Sequence, residues 1–434
     1  MSVPARLKPV ARSGVWRPAS GPLRHLRWYI CGLLLYATTV NYMDRMVLGL
    51  LEPTIARQLH WNRTEYGFIN GVFQLGYALM MPLAGRLIDW LGLRFGYSAA
   101  TLVWSLSSMS HALARTGAQF ALARLGLGVG EAANFPACIK AVADWFPQRE
   151  RALATGIFNG GSNLGAVIAP LLVPLVTLHF GWRAAFVCTG SLSLSWVVLW
   201  VLFYREPEQM PRLSAQELAL IRSDGEESST EAVPYRQLLG RRATWAFIVA
   251  KFLTDPVWWF YLFWLPDFLH RQYGVDLVHL GPPLVFIYAL SALGSVGGGG
   301  LSSALLQRGW PVARARQTAM LVSALCVTAV IFVPRAAGNL WLTVGLIGIA
   351  AAAHQGWSAN LFTVASDQFP RAAVGSVVGL GGLGGSLGGV LAQPAIGKWL
   401  DVSHGAYAPL FFVAGSIYLV ALLLMHFLLP KRAR

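Results

Sequence analysis

Asn41-Tyr42-Met43-Asp44-Arg45 sets an acid and a base side by side in an apolar run that begins near Trp28. Charges at membrane depth cost roughly 2.5 to 3.5 kcal/mol each on insertion scales, so they are rare there and usually functional. Arg124 and Glu131 form a second such set. Seven residues apart on a helix, they differ by about 20° and share one face two turns apart. A guanidinium there can grip a carboxylate with two parallel hydrogen bonds. A carboxyl walled by apolar groups can load and release a proton near neutral pH. Asp44 and Arg45, about 100° apart, cannot face the same partner. The chemistry these four residues offer is recognition of an anion combined with proton exchange. The plainer reading is a static set of pairs that hold helices together.

Other residues could complete a site. Lys251 and Asp255 stand at i and i+4 and could neutralise each other. Trp258, Trp259, Tyr261 and Trp264 could stack on a ring, or form a belt at the membrane surface, where Trp and Tyr are enriched. A buried histidine such as His354 can relay protons or bind hydroxyls, although many are merely satisfied by neighbours. Tyr77, Asn159, Ser162, Gln355 and Asn360 are polar groups in apolar runs, suited to ligand hydroxyls or to bonds between helices. The glycine-rich run from Gly379 to Gly389 lacks the lysine of a phosphate loop and reads as close helix packing. The four cysteines, Cys31, Cys138, Cys188 and Cys326, show no metal spacing, and no resident metal or cofactor is expected.

The elements that position these residues are apolar. The chain has 434 residues, 55% hydrophobic and 12% charged, with a mean hydropathy of +0.53. A soluble domain carries about twice that charged fraction. Windows of spanning length fall at 27–51, 65–88, 95–114, 118–141, 153–177 and 183–204, then at 244–268, 280–306, 316–334, 338–364, 374–399 and 407–429. An all-α membrane protein with twelve helices in two sets of six is expected. Residues 1–26 would form a basic cytoplasmic tail, 27–204 and 244–434 the two bundles, and 205–243 a polar cytoplasmic linker. Within the linker, an amphipathic stretch lies near Leu213–Ile221 and an acidic patch at Glu226-Glu227. With both termini cytoplasmic, the other side carries only Arg57, Arg63, Arg115, Arg183, Arg271, Arg335 and Lys398 among the basic loop residues. The positive-inside rule requires that bias. It also explains the net charge of +15 without a nucleic-acid partner. With charges near the window ends assigned to the flanking loops, those left at membrane depth are Arg45, Arg124 and Lys251 against Asp44, Glu131 and Asp255, which balance.

The halves repeat. Gly160-Gly161-Ser162-x-x-Gly165-x-x-x-x-Pro170 recurs as Gly384-Gly385-Ser386-x-x-Gly389-x-x-x-x-Pro394, and Asp144-Trp145-Phe146-Pro147 as Asp367-Gln368-Phe369-Pro370. These near-identical offsets argue for a duplicated six-helix unit, and they align His354 with Glu131. A parallel repeat of this kind places a ligand between the halves near the midplane.

Gly85-x-x-x-Asp89-x-x-Gly92-x-Arg94-x-Gly96 resembles the loop 2–3 signature of the major facilitator superfamily. The resemblance implies a gating role for Asp89 and Arg94. Arg27-Trp28-Tyr29, Asn41-Tyr42-x-Asp44-Arg45, Trp145-Phe146-Pro147-x-x-Glu150-Arg151, Phe158-Asn159-x-Gly161-Ser162, His354-Gln355 and Ser366-Asp367 are similar to the anion:cation symporter branch. With Asp255-Pro256-x-Trp258, His354-Gln355 is similar to the aldohexuronate transporters in particular. The resemblance implies proton-coupled uptake of a sugar acid across the inner membrane. Asp44 and Glu131 would couple protons. Arg45, Tyr77, Arg124, Asn159, Ser162, Trp258, His354, Gln355 and Asn360 would bind substrate. A monomer with no partner beyond substrate, protons and lipid is expected. A symporter for aldonates or aldarates, or an exporter of organic anions or drugs, remains an alternative. No nucleophile or nucleotide loop supports an enzyme.

Overall fold

The computed structural model describes residues 25–223, 233–336, 338–369 and 371–429. The basic tail up to Arg24, Glu226-Glu227 of the linker, Pro370 of the repeat and the side chains of Asp89 and Ser366 lie outside the described residues. The first half comprises α1 (Leu26–Leu59), α2 (Arg63–Leu91), α3 (Leu93–Ser110), α4 (Gly117–Glu131), α5 (Asn134–Trp145), α6 (Gln148–Phe180) and α7 (Trp182–Phe203). Short helices α8 (Ala215–Ile221) and α9 (Tyr235–Leu239) follow in the linker. The second half comprises α10 (Arg242–Tyr273), α11 (Gly281–Gln307), α12 (Val312–Val327), α13 (Leu340–Gln368), α14 (Arg371–Val402) and α15 (Ala408–Leu428).

Local chemistry sets the breaks. Asn62 opens α2 with a capping box, accepting from the Glu65 amide while Glu65 accepts from the Asn62 amide. Gly92, at φ 75°, turns α2 directly into α3, and Gly181, at φ 81°, turns α6 into α7, a region that favours glycine. Two expectations need correction. The single helix expected over 118–141 is broken at Ala132-Ala133, immediately after Glu131. The window at 316–334 ends in a 3-10 turn, Thr328–Ala336. Among the described residues, eight helices are long and apolar enough to cross a membrane by length and composition alone. The chain is therefore read as a multi-pass membrane protein. α4 and α5 are individually too short for that measure, and α1 carries buried Asn41, Asp44 and Arg45.

The repeated glycine motif has the same task in both halves. Gly161 of α6 sits against the Leu35 carbonyl and Thr38 of α1, and Gly385 of α14 sits against Asp255 of α10. A methyl group at either position would collide, so each half closes on a glycine. The amphipathic stretch of the linker is α8. Its Glu217 accepts from the amides of Leu26 and Arg27 and from the Arg27 guanidinium at 2.9 Å. A carboxylate thus caps the start of α1, where the helix dipole favours negative charge.

The halves meet along α2 and α14, α6 and α11, and α1 and α10. We call distal the end at which α1 turns into α2. There Gly67 abuts the Gln393 carbonyl and Gly71 abuts Pro394, and lower down Gly382 meets the tip of Met81. Towards the other, proximal end, a methyl group added at Gly85 of α2 or at Gly375 or Gly379 of α14 would meet no other element within 4 Å among the described residues. The pattern repeats at α6 and α11. Gly281 touches Pro170 and Ser291 donates to Asn163, while a methyl group at Gly156, Gly160 or Gly297 would again meet none. The close glycine contacts between the halves therefore gather at the distal end.

Candidate ligand site between the two halves

Mid-way along α1, Arg45 points into the space between the halves. Its Nε donates to Glu131 Oε2 at 2.8 Å and a second nitrogen bonds the same oxygen, while Asn41 one turn back accepts at 3.3 Å. The guanidinium carbon stands 4.7 Å from the ring centroid of Tyr42, 5.3 Å from Phe73 and Tyr77, and 4.9 Å from Trp259. Three of these rings belong to the first half and Trp259 to the second. Each such contact is worth up to about 2 kcal/mol once water is excluded. The arginine is thus caged by aromatics yet bonded to one oxygen of a carboxylate. The other oxygen, Glu131 Oε1, is buried and has no partner among the described residues. Both residues are almost wholly buried.

Glu131 stands at the break between α4 and α5, which brings it to Arg45 on α1. Arg124 shares its helix but serves differently. Both its terminal nitrogens donate to the backbone carbonyl of Arg45, at 3.1 and 3.2 Å, and its plane lies over Phe73 and Phe263. Among the described residues its buried Nε has no partner. Arg124 thus holds the turn of α1 that carries Arg45.

Asp44 faces away from this site. Ser108 of α3 donates to one of its oxygens at 2.6 Å and Ser193 of α7 to the other. It ties three helices of the first half together, with no cation within ion-pairing distance among the described residues. Arg94 donates to the Val201 carbonyl at the end of α7, on the proximal side.

In the second half, Lys251 and Asp255 pair with each other at 2.9 Å. His354 lies parallel to Trp258, with centroids 5.1 Å apart and planes within 5°, and its Nδ1 bonds the Tyr418 hydroxyl. Trp258, Trp259, Tyr261 and Trp264 are all buried, so the alternative of an interfacial belt is set aside. Trp264 donates to Gln393 at 2.8 Å and packs edge-on to Tyr66 across the halves.

The structure therefore brings Arg45, Glu131 and Tyr77 together, with Arg124 behind them and Trp258 and His354 in the adjoining layer of the second half. Ser162 and Asn360 are instead bonded within their own halves. Ser162 bonds the Asn159 carbonyl of its own helix at 2.7 Å, and the Asn159 side chain is exposed. Asn360 donates to the Gly298 and Gly356 carbonyls at 2.9 Å each, tying α13 to α11. Gln355 is half-buried. Sequence reasoning missed Phe73 as a wall of the cage, and it named Trp259 only as a possible stacking face for a ring. It also missed Gln74, a fully buried amide with neither end bonded, packed against Gly389 at the interface. A polar side chain at helical spacing from Tyr77 was the available signal.

Relatives support the membrane reading. A hexuronate transporter of Escherichia coli (strain K12) is 31% identical over 94% of this chain and 95% of its own length. A galacturonate transporter of Dickeya chrysanthemi is 36% identical over 59% of this chain and 75% of its own. The crystal structure of a bacterial homologue of the human lysosomal transporter Spinster, in an inward-facing and occupied conformation, superposes with a TM-score of 0.67 at 20% identity. That alignment covers 94% of this chain and 96% of the other, and it carries the fold. The Major Facilitator Superfamily profile matches residues 34–393. With a multi-pass helical fold, a repeated half and a charged site between the halves, the chain belongs to the Major Facilitator Superfamily and is a transporter, not an enzyme.

Proposed function

We propose that the protein imports a sugar acid, such as a hexuronate, together with protons across the bacterial inner membrane by alternating access. In this reading twelve spans form two bundles, residues 27–204 and 244–434. Both termini are cytoplasmic and the protein acts as a monomer. The proximal end then faces the cytoplasm and the distal end faces outward. The observation that carries the proposal is the buried Arg45–Glu131 pair inside an aromatic cage shared by both halves.

The pair supplies a coupling principle. Arg45 is the natural partner of a substrate carboxylate, and Glu131 occupies that place. A proton on Glu131 removes its charge and frees the guanidinium for the substrate. Departure of the proton towards the cytoplasm restores the internal pair and displaces the anion. Arg124 supports Arg45 and adds positive potential. The aromatic walls offer faces to the sugar ring, and Gln355 and His354 offer polar groups to its hydroxyls. Asp44 is a second proton-exchange group within the bundle. Asp89 and Arg94 act at the cytoplasmic gate.

Glu131→Gln tests this in proteoliposomes loaded with glucuronate or galacturonate. The variant is expected to lose accumulation driven by an inward proton gradient while retaining counterflow exchange. Full gradient-driven accumulation by the variant would remove Glu131 from the coupling.

A further inference from the structure

The second half carries a groove on its outer face that the site between the halves does not use. It lies at the proximal end, where α11 turns into α12 and α15 finishes, and its volume is about 520 Å³. Its two helical walls change character over the same span. Arg314 of α12 stands seven residues before Leu321, and Leu419 of α15 seven residues before His426, about 10 Å of rise in each helix. Trp310, Arg314, Gln317, Thr318 and His426 line the part nearer the helix ends. Leucines 321, 419, 422 and 423 line the deeper part, and three of these four are exposed. A tryptophan at the mouth suits the membrane–water boundary, where that residue is enriched.

The polar part of the groove is unspent. Arg316, one turn from the start of α12, donates to Ser302 at 2.7 Å and to Asp367 at 3.2 Å. Arg314 differs. Among the described residues its guanidinium makes no hydrogen bond or ion pair, and the side chains of Gln317, Thr318 and His426 make none either. No acid lines the groove, and the first turn of α12 contains none. One end is therefore positive and rich in donors, and the other is apolar.

The equivalent seam of the first half, between α3 and α7, is filled from within. Tyr97 of α3 packs on Trp196 and Trp200 of α7, with ring centroids 4.5 and 5.3 Å away. Arg94, near the start of α3, donates to the Val201 carbonyl of α7. In the second half α12 contains no aromatic residue, and Arg314 has no such acceptor. The repeat thus closes this seam with its own side chains in one half and leaves a charged groove in the other.

We propose that this groove binds a membrane phospholipid with a net negative headgroup. Arg314 meets the lipid phosphate, Gln317, Thr318 and His426 donate to its headgroup oxygens, and an acyl chain lies along the leucines. Basic pockets between membrane helices recognise anionic headgroups in this way. A soluble anion would leave the leucine wall bare. A choline headgroup would bring its own cation to a groove that holds Arg314 and no acid to receive it. The inference uses the membrane reading of the fold and neither the substrate nor the proton coupling.

The test is native mass spectrometry of the purified protein titrated with phosphatidylglycerol or with phosphatidylcholine of the same acyl chains. The parent protein is expected to hold the first phosphatidylglycerol about five- to tenfold more tightly, and Arg314→Gln to remove most of that preference while phosphatidylcholine binding stays unchanged. Arg308→Gln removes the same charge from an exposed residue at the same end, outside the groove lining. It should leave phosphatidylglycerol binding within about twofold of the parent, because bulk surface charge is not what the groove reads. Equal affinity of the parent for the two lipids, or equal losses in Arg308→Gln and Arg314→Gln, would overturn the proposal. Displacement of phosphatidylglycerol by an equal concentration of glycerol phosphate would overturn it too, by assigning the groove to a soluble anion. If Arg314→Gln does not purify as a monodisperse protein, Leu419→Trp decides, since it fills the apolar part. Unchanged phosphatidylglycerol binding there would count equally against the groove. Loss of coupled transport in Glu131→Gln bears on the proposed function and leaves this readout unaffected.

Discussion

The two halves share a motif, a packing pattern and one alignment, yet around the candidate site they use charge in opposite ways. In the first half the ionic contact spans helices: Arg45 on α1 reaches Glu131 at the end of α4, and Arg124 braces α1 from behind. In the second half Lys251 and Asp255 pair within one turn of α10, and the position aligned with Glu131 is His354, stacked on Trp258. An inter-helix pair changes when helices move, whereas an i,i+4 pair travels with its helix. The difference teaches that the inter-helix ionic contact at the candidate site lies in the first half, while the second contributes aromatic faces and an imidazole stacked on Trp258.

The largest expected effect follows from that division. Arg45→Lys keeps the charge but loses the planar fork and its fit to the aromatic cage. We expect uptake of hexuronate to fall about a hundredfold or more, equivalent to roughly 3 kcal/mol of lost interaction. Initial-rate uptake in cells or proteoliposomes measures it. Uptake by Arg45→Lys within about threefold of wild type would show that position 45 supplies only positive charge.

His354→Gln sharpens the contrast from the other side. If the second half binds without coupling, this change should weaken apparent affinity about tenfold while the proton dependence of uptake keeps its shape. The stack on Trp258 is replaced by a flexible amide that can still reach the Tyr418 hydroxyl. A changed pH profile with unchanged affinity would move His354 into the coupling machinery.

The local pair in α10 calls for a double-mutant cycle. Asp255→Asn leaves Lys251 at membrane depth without its anion, and Lys251→Met leaves Asp255 alone. Each single change should lower thermal stability by about 1–3 kcal/mol, and the double change should recover most of it. Gly385 lies against Asp255, so Asn, being near-isosteric, tests charge rather than volume. Additive losses would show that each residue has its own partner.

Much of this architecture was legible in the chain. The apolar windows fall on helices, and the repeated Gly-Gly-Ser motif marks equivalent packing of α6 on α1 and α14 on α10. The 100° separation of Asp44 and Arg45 does send them to different partners. What was not legible depends on proximity between distant segments. The seven-residue spacing of Arg124 and Glu131 suggested one shared role. Both do face Arg45 of α1, but Glu131 takes its guanidinium and Arg124 its backbone carbonyl. Arg63 and Asp267 lie at the edges of apolar windows, where single charges are ordinary. Only the approach of α2 and α10 brings them together.

The smallest effect concerns the second repeated motif, at the proximal side. Asp367 accepts from Arg316 Nε at 3.2 Å. Its counterpart Asp144 lies just beyond the 118–141 window, and partial burial pushes its carboxyl up to about 6, only partly offset by Lys140 and Arg222. The sign follows from the raised value. The folded protein binds a proton that the unfolded chain has released, so Asp144 favours folding below about pH 4. That advantage is lost as pH rises through about 6. Removing the charge should therefore help above that range. Asp144→Asn is expected to be more stable than wild type by about 1 kcal/mol at pH 7.5, allowing for solvent screening at a partly exposed site. The gain should shrink steadily towards pH 4. Asp367→Asn, which breaks an ion pair, should instead lose stability at neutral pH. Melting temperatures of the purified protein across this pH range decide it, because two repeats with opposite signs cannot be playing the same structural part.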